Sequence, residues 1–174
     1  MIRLKTKEEI ALLREGGARH SAILRELKAM VKPDLAIIDL YRQAVELIKK
    51  GGDSGAFLNY KSSDSRKKYP ASLCVSINDE VVHGVPTQGN KVLKEGDIVT
   101  LDLGLVHKGM FTDMAITVPV GKISLDAQRL ITATENALKA GIRAAKGGNR
   151  LGDIGAAIEM SAHSAHVAII HELC

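Results

Sequence analysis

Ile98-Val99-Thr100-Leu101-Asp102-Leu103-Gly104-Leu105-Val106, then His107-Lys108-Gly109, then Met110-Phe111-Thr112-Asp113-Met114-Ala115-Ile116-Thr117 is the stretch whose reading decides the fold. The arms read as two strands, over 98–106 and 110–118. A two-residue Lys108-Gly109 turn, with glycine supplying a positive φ, pairs His107 with Met110, Val106 with Phe111, Gly104 with Asp113 and Asp102 with Ala115. Asp102 and Asp113 then sit diagonally on one face, Cα atoms roughly 7–8 Å apart or less. A four-residue loop keeps that register, whereas a three-residue loop would put the carboxylates on opposite faces. The Asp face carries Thr100, Gly104, Val106, Phe111, Ala115 and Thr117. The other carries Val99, Leu101, Leu103, Leu105, Met114, Ile116 and Val118, nearly all aliphatic, and must be core. Small Gly104 and Ala115 are expected to leave a hole beside two anions. Carboxylates this close repel unless a cation intervenes, and divalent ions accept bridging carboxylates. The plainer alternative puts both on a solvated face; aspartate is disfavoured in strands, which tips the pair towards a metal site.

The surroundings supply the rest of a core. Thr6-Lys7-Glu8-Glu9 has capping-box form and opens a helix over 7–30 that stops before Pro33. Gly16-Gly17 inside it marks a weak point or a place of close packing. A second helix covers 37–50, buries Leu40, Ala44, Leu47 and Ile48, and ends at Gly51-Gly52. Residues 53–70 read as loop, with a basic, serine-rich tip at Lys61-Ser62-Ser63-Asp64-Ser65-Arg66-Lys67-Lys68. A solvated loop is the plain reading of that tip; contact with a phosphate backbone is the minority one. A strand over 73–77, helices over 126–146 and 151–166, and a strand beginning at 167–170 complete the chain.

The 174 residues suffice for one core and are short for two. Hydrophobic residues at 45% and charged residues at 25% mark a globular protein. No apolar run reaches the ~20 residues of a membrane span, and the N-terminus lacks a signal-peptide apolar core. Two distant cysteines, Cys74 and Cys174, offer no disulfide framework, so a cytoplasmic location is expected. A net charge of +4 permits an anionic neighbour such as RNA without demanding one. Aromatics are scarce, yet Phe57, Tyr60 and Tyr69 share a thirteen-residue window. They read equally as a cluster under a loop or as the wall of an apolar pocket. His83 is delivered by two valines to the rigid Gly84-Val85-Pro86 and is either structural or a proton carrier. His163 and His166 are expected at the surface. His171-Glu172 looks like the beginning of a zincin motif without its second histidine.

Tyr69-Pro70-Ala71-Ser72-Leu73-Cys74-Val75-Ser76-Ile77-Asn78-Asp79-Glu80-Val81-Val82-His83-Gly84-Val85-Pro86 closely resembles the signature of type I methionine aminopeptidases. Leu93-Lys94-Glu95-Gly96-Asp97-Ile98-Val99-Thr100-Leu101-Asp102-Leu103-Gly104, the segment Gly109 through Asp113, and Gly152-Asp153-Ile154-Gly155-Ala156-Ala157-Ile158 match as well. The resemblance implies an α/β (α+β) fold, half of a pita-bread fold: an antiparallel sheet with helices packed on one face. Residues 1–174 would be a single domain, the N-terminal part of the catalytic domain. It implies removal of the initiator methionine from nascent proteins by two divalent ions, cobalt, manganese, iron or zinc, that activate water and stabilise the oxyanion. By resemblance Asp102 binds one ion, Asp113 bridges both, and His83 hydrogen-bonds the scissile amide and supports proton transfer. Phe57, Tyr60, Tyr69 and Cys74, with His83, would line the methionine site, a slot suited to an unbranched, polarisable side chain.

The chain departs from the family pattern in two places. The 61–68 loop is longer than usual. The sequence also stops before the position of a Gly-His-Gly stretch with a histidine ligand, a second histidine and two glutamate ligands, leaving two of five ligands. The expectation is therefore a truncated chain, weak or silent alone, that holds its metals loosely. The competing expectation is a non-catalytic pita-bread module acting by self-association or partner binding. A proline dipeptidase is disfavoured by the spacing of the 69–86 block. Expected partners are a nascent peptide with N-terminal methionine, the vicinity of the ribosome, and a second copy in a homodimer. No membrane and no sequence-specific nucleic acid are expected.

Overall fold

The structure, a computed structural model, describes residues 3–61 and 67–170. Part of the basic loop tip, and His171, Glu172 and Cys174, lie outside the described residues. The chain divides after Ile123 into two compact units. The first holds α1 (Lys7–Met30), α2 (Ile37–Lys50), β1 (Ser54–Gly55), β2 (Leu73–Ile77), β3 (Ile98–His107) and β4 (Met110–Pro119). The second holds α3 (Leu125–Ala144) and α4 (Leu151–Ser164).

In the first unit β3 is the central strand. β4 runs antiparallel along one edge for its whole length, from Ile98↔Pro119 to His107↔Met110. β2, from Leu73↔Leu103 to Ile77↔Val99, and β1, at Ser54↔Val106 and Gly55↔Leu105, share the other edge. The hairpin turn is the two-residue one, with Lys108 at φ 47° and Gly109 at φ 80°, and the register is the expected one. β1 was not expected: its two residues carry no alternation, and they become a strand only because the outer edge of β3 beyond Leu103 is free to pair.

The aliphatic face of the sheet is the core. Leu73, Val75, Val99, Leu101, Leu103 and Leu105 are fully buried against Leu24 and Leu27 of α1 and Leu40 and Ala44 of α2. Each such leucine contributes about 1.5–3 kcal/mol relative to exposure. α1 lies over β3 and β4, and α2 over β1 and β2. The Thr6–Glu9 capping box forms, with Glu9 N–H donating to Thr6 Oγ1 at 3.2 Å and Thr6 N–H to the Glu9 carboxylate at 2.9 Å. Gly16 is a place of close packing, since a Cβ there would stand 3.1 Å from His107 Cβ.

Polar groups are built into this core at its hairpin end. Fully buried His20 of α1 places Nδ1 3.0 Å from Thr112 Oγ1 of β4. His107 Nδ1 lies 2.7 Å from the Asp53 carboxylate, which also accepts from Arg19 Nε at 2.8 Å. Burial alone would raise the Asp53 pKa, but the hydrogen bonds from His107 and Arg19 and the guanidinium charge hold it below the usual carboxylate range. His20 is pushed the other way: burial lowers its pKa, against opposing contributions from the Asp113 charge and the Leu103 backbone. A histidine held neutral in the fold contributes stability above its unfolded pKa of about 6.5. That contribution is lost as pH falls. Acidification below about pH 6.5 is therefore expected to lower stability through this group. His20→Gln should lessen that loss in urea titrations; an unchanged loss would assign the acid sensitivity elsewhere.

The second unit is a helix pair. Ser124 caps α3, its hydroxyl accepting from Ala127 N–H at 3.1 Å. Gly141 lets α4 come close, since a Cβ there would lie 2.9 Å from Ile158. The expected strand at 167–170 is absent. The helix end wraps instead: His166 takes a left-handed φ of 56°, and the N–H groups of His166 and Val167 return to the carbonyls of His163 and Ala162 at 2.9 and 3.1 Å. That capping motif takes up the Val167 N–H, at the first position of the expected strand. His163 and His166 are exposed, as expected. No helix among the described residues is long and apolar enough to cross a membrane.

Candidate active site

The rungs of the sheet place the candidate residues. Cys74 of β2, Asp102 of β3 and Ala115 of β4 share one rung, and Gly104 and Asp113 share the neighbouring one. Paired residues point to the same face, so Cys74, Asp102 and Asp113 lie together opposite the core. Asp102 is half-buried and Asp113 exposed. Burial raises the Asp102 pKa, the Asp113 charge raises it further, and His83 opposes both.

Gly104 does not leave a hole. A Cβ there would stand 2.6 Å from Phe57 Cε1 and 2.9 Å from Ala56 Cβ, so the missing side chain is the seat of the Phe57 ring. Ala56 N–H donates to Gly104 O at 2.8 Å and fixes that approach. Tyr69 meets Phe57 edge-on, ring centroids 6.5 Å apart and planes at 89°. The Tyr69 hydroxyl donates to Gly84 O at 3.0 Å. Burial raises its pKa, as do Cys74 and the Asp102 charge. Burial also pushes the Cys74 thiol up to about 11, with the aspartates adding to the effect and Tyr69 opposing it. The thiol is therefore neutral at neutral pH and not a thiolate nucleophile. Tyr60 differs from the other two aromatics. Its backbone closes a small loop, donating to Phe57 O at 2.9 Å and accepting from Tyr69 N–H at 2.8 Å, while its side chain is 64% exposed. It stands at the rim of the aromatic wall.

His83 is delivered by backbone geometry that sequence inspection did not reveal. It sits at φ 60°, a left-handed conformation that costs roughly 1–3 kcal/mol in a non-glycine residue. Gly84, next to it, is pressed onto β2: its carbonyl accepts from Val75 N–H at 2.9 Å and its N–H donates to Ser76 Oγ at 3.1 Å. The Gly84-Val85-Pro86 run signals rigidity but not which strand it rests on. His83 is exposed and opposes the rise in the Asp102 pKa.

Asp102 and Asp113 present the oxygen donors that divalent cations take. Among the described residues no group of three or more His, Cys, Asp and Glu side chains gathers as a further ligand set. The pair fits an ion as two of the donors it needs.

Comparison with known proteins bears on this arrangement. The model of metallopeptidase family M24 matches residues 11–173, and the chain belongs to that family. It is 43% identical to a methionine aminopeptidase of Aquifex aeolicus, over 92% of this chain and 62% of that protein. It is 37% identical to methionine aminopeptidase 1 of Bacillus subtilis, over 99% of this chain and 66% of that protein. The crystal structure of methionine aminopeptidase from Thermotoga maritima superposes with a TM-score of 0.87 at 36% identity, over 94% of this chain and 63% of that one. The chain thus spans about two-thirds or less of the length of these relatives. Its antiparallel sheet with helices is the corresponding part of the pita-bread fold. Membership of a metallopeptidase family implies use of a divalent metal.

Proposed function

We propose that this chain forms the methionine-recognising and part of the metal-binding portion of a cytoplasmic aminopeptidase that removes initiator methionine from nascent peptides. The two compact units would be parts of one catalytic domain. The observation that carries the reading is the juxtaposition of Asp102 and Asp113 on one sheet face with the Phe57–Tyr69–Cys74 wall beside them. The site would hold two divalent ions, of cobalt, manganese, iron or zinc, with Asp102 on one and Asp113 between both. Ions bound there would activate water and stabilise negative charge on the peptide carbonyl oxygen. Phe57, Tyr69 and Cys74 would receive the methionine side chain and exclude water, with Tyr60 closing the rim. His83, beside Asp102, would hydrogen-bond the scissile amide and carry a proton between it and solvent. Work on nascent peptides would place the protein near the ribosome.

A second reading is a module that binds without catalysing. One assay separates the two. Methionine release from a Met-Ala-Ser peptide is expected to require Mn2+ and to vanish in Asp113→Ala. Mn2+ binding without any release would leave the second reading; no Mn2+ binding would sink the metal site itself.

A further inference from the structure

The hairpin register determines what holds Asp113 in place. Residues flanking a two-residue turn form a hydrogen-bonded pair, and bonded and non-bonded pairs alternate along an antiparallel ladder. His107↔Met110, Leu105↔Thr112 and Leu103↔Met114 are therefore bonded pairs, and Gly104↔Asp113 between the last two is not. The Gly104 carbonyl agrees with this, since it turns away from β4 to accept from Ala56 N–H. Asp113 is thus fixed relative to Asp102 by the rungs on either side of it, those of Thr112 and Met114.

His20 bears on both rungs from the core side of the sheet. Its Nδ1 lies 3.0 Å from Thr112 Oγ1, and the Leu103 backbone acts on the same ring. Gly16, one turn earlier on α1, seats the other branch of Thr112: a Cβ at Gly16 would stand 3.6 Å from Thr112 Cγ2. Both branches of this threonine are therefore engaged by α1, which selects one χ1 rotamer. The imidazole is fully buried. Burying a polar ring costs free energy that an aliphatic side chain would not. What the ring adds is direction, because a hydrogen bond is aimed and apolar contact is not.

We propose that His20 is a positioning residue for the metal site: by holding Thr112 from beneath the sheet, it sets the height and tilt at which β4 presents the Asp113 carboxylate to an ion shared with Asp102. This inference rests on the reading of Asp102 and Asp113 as metal ligands. Groups that orient a metal ligand contribute about 10- to 100-fold to affinity. The low end is expected here, because His20 acts through the backbone between Thr112 and Asp113 and not on the carboxylate itself.

The test is Mn2+ affinity of the whole chain by isothermal titration calorimetry, beside thermal melts in EDTA. Thr112→Val keeps the shape and removes the hydroxyl, leaving His20 Nδ1 unpaired in the core. It should lower both the metal-free melting temperature and the affinity. His20→Leu combined with Thr112→Val makes both partners apolar, so the metal-free melting temperature should recover. Its Mn2+ affinity should stay down about tenfold. Thr112→Ser keeps the hydroxyl and should bind Mn2+ as the unaltered chain does. Ile48→Val loosens the same core from α2 and should lower the melting temperature with affinity unchanged. A double variant that binds Mn2+ as tightly as the unaltered chain overturns the inference and leaves the metal reading intact. So does an Ile48→Val chain whose affinity falls in step with its stability, since affinity would then report the fold alone. Should the double variant fail to fold, equal affinities of Thr112→Val and Thr112→Ser overturn the inference. No Mn2+ binding by the unaltered chain overturns the metal reading first, and this inference with it.

Discussion

Replacing Asp102 with asparagine is expected to abolish stabilisation by Mn2+ and, at the same time, to raise the melting temperature of the metal-free chain. The two effects have one cause. The folded-state pKa of Asp102 is raised, by burial first and by the Asp113 charge second, with His83 opposing. A carboxyl with a raised folded pKa contributes stability that is full below its unfolded pKa of about 3.9 and lost as pH rises through the folded value. At neutral pH the ionised group therefore works against the fold, and neutral asparagine of the same shape relieves it. The same unrelieved charge is what an ion would satisfy. Mn2+ at a hundred times its Kd stabilises by about 2.7 kcal/mol, on the order of 5–10 °C for a chain of this size. Differential scanning fluorimetry of both proteins with and without Mn2+ reads both signs. An Asp102→Asn chain that still gains several degrees from Mn2+ would place the ion elsewhere.

Gly84→Ala is expected to cost about 3 kcal/mol, a loss of roughly 6–12 °C. The added Cβ would lie 2.1 Å from Val75 O, 2.8 Å from Val75 C and 3.0 Å from Ser76 Cα. All three are backbone atoms of β2, so no rotamer change relieves the clash. The segment would have to lift, breaking the Val75–Gly84 hydrogen bond and the Tyr69 hydroxyl contact, and moving His83 away from Asp102. Gly17→Ala is the control: nothing lies within 4 Å of its Cβ, and in mid-helix it should stabilise by about 0.5–1 kcal/mol. Urea titration of the two variants separates a close approach from a general intolerance to alanine. Equal, small effects would mean that the loop bearing His83 is not seated on β2.

Features carried by local periodicity were legible in the sequence. Glycine at 109 supplies a positive φ, and with a two-residue turn the side-chain period of two puts Asp102 and Asp113 on one face, the register the structure shows. The capping box and the apolar spacing bounded α1 at the observed residues, and Gly51 ended α2.

Features that depend on a distant neighbour were not legible. Gly104 was read as space beside the anions, and the structure fills that space with Phe57, brought from residues in the loop before β2. The 167–170 segment has strand composition, but His166 in a left-handed cap wraps the helix end before any ladder forms. Nothing in the pattern of α1 marks His20 as a partner of Thr112, because a buried polar contact between a helix and a strand 92 residues away leaves no periodic trace.

The hairpin and its two faces are written in the sequence, since they follow from backbone alternation over about twenty residues once the two-residue turn is made. Only the tertiary structure decided what stands against them: the Phe57–Tyr69 wall, the neutral Cys74 thiol, and His83 held at positive φ by Gly84 on β2. Steric fit and burial are properties of the assembled neighbours and not of the strand that carries the charge.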